Sequence, residues 1–273
     1  MNDRDPNHDF SGNSVVLVDV VDRIGTITMN RPEARNALSS ELLGLLPRAV
    51  SMLEANTDVD VMILTGTDPA FSAGLDLREL GSSDGNINPG SGDTSPRAQR
   101  GAFPAHTKPL IGAVNGVAVT GGFELAVCCD FLIASEHARF ADTHARVGVM
   151  PGWGLTVLLP QAIGVSRSRE LSLTGNFLDA PTAYEWGLVN RVVPHAELMS
   201  TTRQIASDII SNDQPGVREV LGTYALTSEA TVGEAWEIEA TRGRDWLRRS
   251  SFTKDQVAER RAAIQERGRS QAR

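Results

Sequence analysis

The sequence predicts an α/β fold with parallel strand pairing, followed by a helical C-terminal region. Three observations carry this reading. Residues 59–65 and Leu110–Val114 are short, almost uninterrupted apolar runs, the pattern of strands buried on both faces. Segments of helical spacing follow them, and alternation of strand with helix is the mark of parallel βα crossovers. Beyond Thr201 strand signals vanish and charged stretches of helical period run to the end. The boundary is placed between a 1–200 core and a 201–273 helical region.

Each element has its own signal. Residues 14–21 and 24–29 are β-rich runs separated only by Asp22 and Arg23, which predicts a tight hairpin. Ser39 offers an N-cap with Glu41 in the first turn. Leu42, Leu46, Ala49, Val50 and Leu53 then recur at helical spacing, while Pro47 predicts a kink or a broken first turn. Between Gly81 and Gly101 the composition turns to Ser, Gly, Asn, Pro and Asp, as in a lid or mobile loop. Residues 121–130 read as a helix opened by two glycines. The phrase strand, glycine-rich turn, helix thus occurs at 61–80 and again at 110–130, without a strict sequence repeat. In the C-terminal region, Trp236 and Trp246 stand on otherwise charged helices, which predicts an appendage packed on a neighbouring surface, another subunit being one candidate. The basic tail at 260–273 reads as a solvated helix end.

Composition narrows the function. Of 273 residues 34 are acidic and 26 basic, a net charge of −8, so nucleic acid is a poor partner. No apolar stretch reaches the roughly 18–20 residues that span a bilayer, and residues 1–10 lack the apolar core of a secretory signal. The adjacent Cys128 and Cys129 cannot staple distant segments and read as core thiols of a reducing compartment. A cytoplasmic protein is expected.

The chemistry concentrates in two stretches, Ala70-Phe71-Ser72-Ala73-Gly74-Leu75-Asp76-Leu77 and Ala113-Val114-Asn115-Gly116-Val117-Ala118-Val119-Thr120-Gly121-Gly122-Phe123-Glu124-Leu125-Ala126. Each follows a buried strand and leads into a helix. Glycine there lets the backbone turn sharply and leaves unpaired N–H groups pointing outward, where the helix dipole also favours negative charge. If the fold joins the two turns, two N–H groups converge on one oxygen and form an oxyanion hole. Neither turn is a Walker A loop or a dinucleotide fingerprint, and no G-x-S-x-G elbow is present. His106, His137, His144 and His195 are scattered, with no metal-ligand spacing among them.

On the segments Asn30-Arg31-Pro32-Glu33-Ala34-Arg35-Asn36-Ala37-Leu38, 71–77, 108–124 with Asp130, and Gly187-Leu188-Val189-Asn190, the chain resembles the crotonase superfamily, the enoyl-CoA hydratase and isomerase family. The resemblance runs in order from about residue 15 to residue 194. It implies a crotonase-type spiral of ββα units with a helical C-terminal region that supports trimers, often paired into hexamers. It also implies acyl-CoA thioester substrates and a thioester enolate held by two backbone N–H groups, which by position belong to Leu75 and Gly121. Ala37, Ala73, Asp76 and Leu77 would line the CoA site. CoA itself belongs to the substrate, and neither a further cofactor nor a metal is implied.

Glu124, early in its helix, reads from the residues alone as a carboxylate suited to the helix dipole. The resemblance puts it at one of two catalytic glutamates, a general base or acid beside the oxyanion hole. Aligning Ala138-Arg139-Phe140 and Gly148-Val149-Met150-Pro151-Gly152 places His144 where the second glutamate belongs. A neutral imidazole accepts from water and later donates, its ordinary pKa near 6.5 suits that work, and Glu124 nearby would raise it. The other reading of His144 is a polar wall residue, and Asp142 would serve in its place only with a shifted loop register. His106 is expected to cap or face solvent, Trp153 to pack or to narrow the acyl pocket, and Arg35 to reach a CoA phosphate or sit on the surface. The expected activity is hydration of 2-trans-enoyl-CoA. Isomerisation, a lyase step or simple acyl-CoA binding are the alternatives, because His144 replaces a glutamate.

Overall fold

The computed structural model describes Phe10 and residues 15–80, 101–249 and 254–271, so nearly all of the predicted loop between Gly81 and Gly101, Ser14 and the last residues of the basic tail lie outside the described residues. These divide into two compact units at Arg218 and Glu219. In the first unit, strands β1 (Val16–Val21) and β2 (Ile24–Met29) pair antiparallel, with Val21 opposite Ile24. Asp22 and Arg23 have φ of 52° and 65°, the two positive angles that a two-residue hairpin turn requires.

Helix α1 (Ser40–Ala55) starts where Ser39 accepts a hydrogen bond from Leu42 N–H and buries Leu42, Leu45, Leu46, Ala49, Val50 and Leu53. It continues through Pro47 as one helix: the proline removes one N–H donor without ending it. Its C-terminal carbonyls are closed by buried Lys108, whose Nζ donates to Leu53 O at 2.7 Å and Asn56 O at 2.6 Å.

The site is positioned by how the next strands pair. Strands β3 (Val61–Gly66), β5 (Leu110–Val114), β7 (Phe131–Ser135) and β10 (Arg191–Val193) extend β2 in parallel, giving the order β1-β2-β3-β5-β7-β10. A second sheet, β4-β6-β8-β9, consists of β4 (Ala70–Ser72), β6 (Val117–Val119), β8 (Arg139–Ala141) and β9 (Leu178–Asp179). The chain alternates between the sheets. After β3 comes β4 and then α2 (Leu77–Leu80); after β5 come β6 and α3 (Gly121–Val127); after β7 come β8 and α4 (His144–Val147). The 121–130 helix is therefore three residues shorter than its sequence reading, and each strand-to-helix phrase holds a short second strand. Because β4, β6 and β8 are parallel neighbours, their C-terminal ends lie side by side. Helices α5 (Leu155–Ile163), α6 (Val165–Thr174) and α7 (Ala180–Trp186) follow. Helix α8 (Leu198–Ile210) buries Leu198, Thr202 and Ala206 and packs on β3, β5 and β7, so it belongs to the first unit although strand signals end at Thr201.

Helix α9 (Gln214–Thr227) crosses from the first unit into the second, which holds α10 (Val232–Arg249) and α11 (Lys254–Gln271). Thr231 and Glu234 cap α10 reciprocally, and Glu219 pairs with Arg242 at 2.9 Å. Trp236 is 70% exposed, so the packing expected of it is not made among the described residues.

The loop from Asn30 to Leu38 braces the second sheet. Arg35 and Asn36 both have positive φ, and buried Asn36 accepts from Arg31 N–H while donating to Thr67 O and Ala70 O at 2.8 and 2.7 Å. Ala73 N–H donates to Arg35 O, and Leu38 N–H to Gly74 O. Asn36→Ala removes three side-chain hydrogen bonds, one buried and two partly buried, and the residue type that best tolerates φ of 53°. We expect it to destabilise the fold by about 3 kcal/mol in urea unfolding, the scale of unsatisfied buried polar groups.

Candidate active site

Two corners meet at the end of the second sheet. The first leaves β4 through Ala73, Gly74 and Leu75. Gly74 has φ of +84°, and a Cβ built there would stand 2.6 Å from Val119 O and 3.4 Å from Gly121 N. Only glycine allows that approach. The second corner leaves β6 through Thr120, Gly121 and Gly122. A Cβ on Gly122 would lie 2.5 Å from Ser72 O, so α3 begins pressed against β4. Neither the Leu75 nor the Gly121 N–H finds an acceptor among the described residues.

Thr120, which precedes α3, has φ of 54° and ψ of −116°, a strained conformation for a residue with a side chain. It is over-determined. Its N–H donates to Ala141 O, its carbonyl accepts from Phe123 and Glu124, and its hydroxyl bonds the Thr143 hydroxyl. Thr120 thereby ties the second corner to the loop that carries His144. No sequence signal distinguishes it from any other loop threonine.

The first turn of α3 carries Glu124, which is buried. Its Oε1 accepts from Gly152 N–H at 3.1 Å and Trp153 N–H at 2.7 Å, which leaves Oε2 facing inward. His144 Nε2 lies 3.3 Å from that Oε2. On the other side, His144 Nδ1 lies 2.6 Å from Asp142 Oδ1, which also accepts from the His144 backbone N–H. Burial opposes a charge on His144, but its hydrogen bonds to Asp142 and Glu124 overcome this and raise its pKa to about 9. The imidazole is therefore protonated at neutral pH. Sequence reasoning foresaw the effect of Glu124 but not that of Asp142. Burial likewise works against ionised Asp142, and the contact with His144 and the Ser172 hydroxyl hold its pKa below the usual range.

The other expected residues lie around the first corner. Ala37 is buried, Ala73 half-buried and Leu77 61% exposed. Asp76 is buried, yet its carboxylate is occupied: Oδ2 pairs with Arg31 Nη1 at 3.0 Å and Oδ1 accepts from Arg78 N–H. Trp153 is buried with its ring edge toward Gly121. Arg35 is exposed, and half-buried His106 contacts Pro104 O through Nδ1. Elsewhere His195 contacts Ser135 Oγ and Asp68 Oδ2, each at 3.0 Å. Ser135 is fully buried and accepts from His137 N–H, so its hydroxyl closes a turn instead of facing a substrate. Among the described residues, no group of three or more His, Cys, Asp or Glu is arranged to hold a metal ion.

The chain that builds this site is similar to known proteins over most of its length. The family model for enoyl-CoA hydratase/isomerase matches residues 20–268. A probable peroxisomal enoyl-CoA hydratase of Arabidopsis thaliana is 37% identical over 246 residues, 90% of each chain. The crotonyl-CoA hydratase of Syntrophomonas wolfei is 33% identical over 82% of this chain and 86% of its own. The crystal structure of an enoyl-CoA hydratase from Mycobacterium smegmatis superposes with a TM-score of 0.71 at 48% identity, covering 86% of this chain and 99% of that one. With a family match over residues 20–268, this chain belongs to the enoyl-CoA hydratase/isomerase family of the crotonase superfamily.

Proposed function

We propose that the protein is an enoyl-CoA hydratase that adds water to a 2-trans-enoyl-CoA through a thioester enolate. The observation that carries this reading is the approach of the Leu75 and Gly121 corners beside the buried Glu124–His144 pair. The thioester oxygen lies between the two N–H groups, where fixed dipoles meet the developing charge without reorganising. Losing one such donor typically raises the barrier by about 2.7–4 kcal/mol. Ala37, Ala73, Asp76 and Leu77 line the CoA side, with Asp76 acting through its pair with Arg31. CoA travels as part of the substrate, and no further cofactor enters the reaction.

Water held by the pair gives a proton to Glu124 Oε2 as its oxygen attacks the β-carbon. The double-bond electrons move to the thioester oxygen. His144, as imidazolium, then delivers a proton to the α-carbon while the enolate collapses. Glu124 is left protonated and His144 neutral, and one proton transfer across their 3.3 Å contact restores both.

We also propose a homotrimer or dimer of trimers. In the helical unit Tyr224, Trp236 and Leu247 are 69, 70 and 69% exposed, an apolar surface that favours a second copy. The free thiols Cys128 and Cys129 fit a reducing, cytoplasmic setting, and the net charge of −8 disfavours a nucleic-acid partner; among the described residues no helix is long and apolar enough to cross a membrane.

Glu124→Gln is expected to lower kcat for crotonyl-CoA by about 10²- to 10⁴-fold, the scale of general acid–base catalysis, read as loss of the conjugated enoyl absorbance. Tight CoA-ester binding without turnover of crotonyl-CoA or longer enoyl-CoAs would identify a binding protein instead, and double-bond migration without hydration an isomerase. Light scattering should give the mass of a trimer or hexamer, and a monomer at micromolar concentration contradicts the assembly.

A further inference from the structure

Asp142 serves His144 twice over. Its Oδ1 accepts from the His144 backbone N–H at 3.1 Å and faces His144 Nδ1 at 2.6 Å. The Ser172 hydroxyl, from α6, bonds the same carboxylate, which is itself buried. An ionised carboxylate only accepts, so Nδ1 carries a hydrogen. Across the ring, Nε2 faces the second carboxylate, Glu124 Oε2, at 3.3 Å. A neutral imidazole has one N–H and would turn a lone pair toward one of these anions. Two flanking carboxylates call for hydrogens on both nitrogens.

We infer that Asp142 is a positioning residue of the reaction: it anchors Nδ1–H, fixes Nε2 as the only nitrogen that exchanges protons with Glu124 and substrate, and makes His144 the acid of the pair. This rests on the reading of Glu124 and His144 as the acid–base pair. It differs from a role for Asp142 as a substitute for His144, because the carboxylate sits behind the ring, on the side away from Glu124. Among the described residues, the charged groups facing the ring are Asp142, from the turn after β8, and Glu124, from α3, while α6 offers the uncharged Ser172 hydroxyl.

An acid must hold its proton, so turnover is sustained below the pKa of His144 and falls as pH rises through about 9. Asp142→Asn keeps the shape and an acceptor oxygen but removes the charge that favours imidazolium. In this variant the alkaline limb of the kcat profile with crotonyl-CoA should move at least about one pH unit toward acid, as loss of a neighbouring opposite charge does. At pH 8 kcat should drop about twofold and at pH 10 about tenfold, with KM nearly unchanged, and activity should recover as pH is lowered.

Imidazole NMR reads the same claim without turnover. The resonance assigned to His144 by its loss in His144→Gln should titrate near 9 in the native protein and at least about one unit lower in Asp142→Asn. An unshifted midpoint, or a lower kcat with the alkaline limb unmoved, overturns the positioning role. A shifted midpoint in a protein that hydrates no enoyl-CoA overturns the acid–base reading instead, and with it the catalytic part of this inference.

Discussion

The parallel pairing of three very short strands is the constraint on which the site depends. β4, β6 and β8 contribute three residues each, yet their shared direction sets three strand ends in a row. The amides of Leu75 and Gly121 and the turn carrying Asp142 and His144 all issue from those ends. The glycines at 74 and 122 are consequences of this pairing, since a Cβ at either would collide with backbone of the neighbouring corner. So is the strain at Thr120, which persists because hydrogen bonds from two neighbouring segments hold it.

A second theme is how a charged cluster survives burial. Glu124, His144 and Asp142 are each almost inaccessible to solvent. Isolated, any one of them would pay a large desolvation penalty. Linked in the order carboxylate, imidazolium, carboxylate, they satisfy one another, and the amides of Gly152 and Trp153 complete Glu124. The hydrogen bonds hold the three side chains in one geometry, the preorganisation on which the proposed proton transfers depend.

Much of this was legible in the sequence. The hairpin of β1 and β2, the apolar strands β3 and β5, the N-cap at Ser39 and the glycine corners announce themselves by alternation, continuous hydrophobicity or conformational need. Resemblance to the superfamily located Glu124 and His144. The three-residue strands β4, β6 and β8 are too short for periodicity to register, and they decide which corners meet. The pairing of Asp142 with His144 was equally hidden, because two residues separated by one position touch only when a turn folds the side chain back. Asp76 illustrates the reverse: expected to line the CoA site, it lies beside the first corner with its carboxylate committed to Arg31 and the start of α2.

The proposed reaction depends on polarisation of a thioester carbonyl by the Leu75 and Gly121 amides. The most direct measurement is the infrared stretch of that carbonyl in crotonyl-CoA bound to Glu124→Gln, isolated by ¹³C labelling at the thioester carbon. The bound carbonyl should shift to lower frequency relative to free crotonyl-CoA, as two hydrogen bonds weaken the C=O bond. A bound carbonyl that absorbs at the free-solution frequency would contradict this polarisation, since the two corners would then not hold the reacting oxygen.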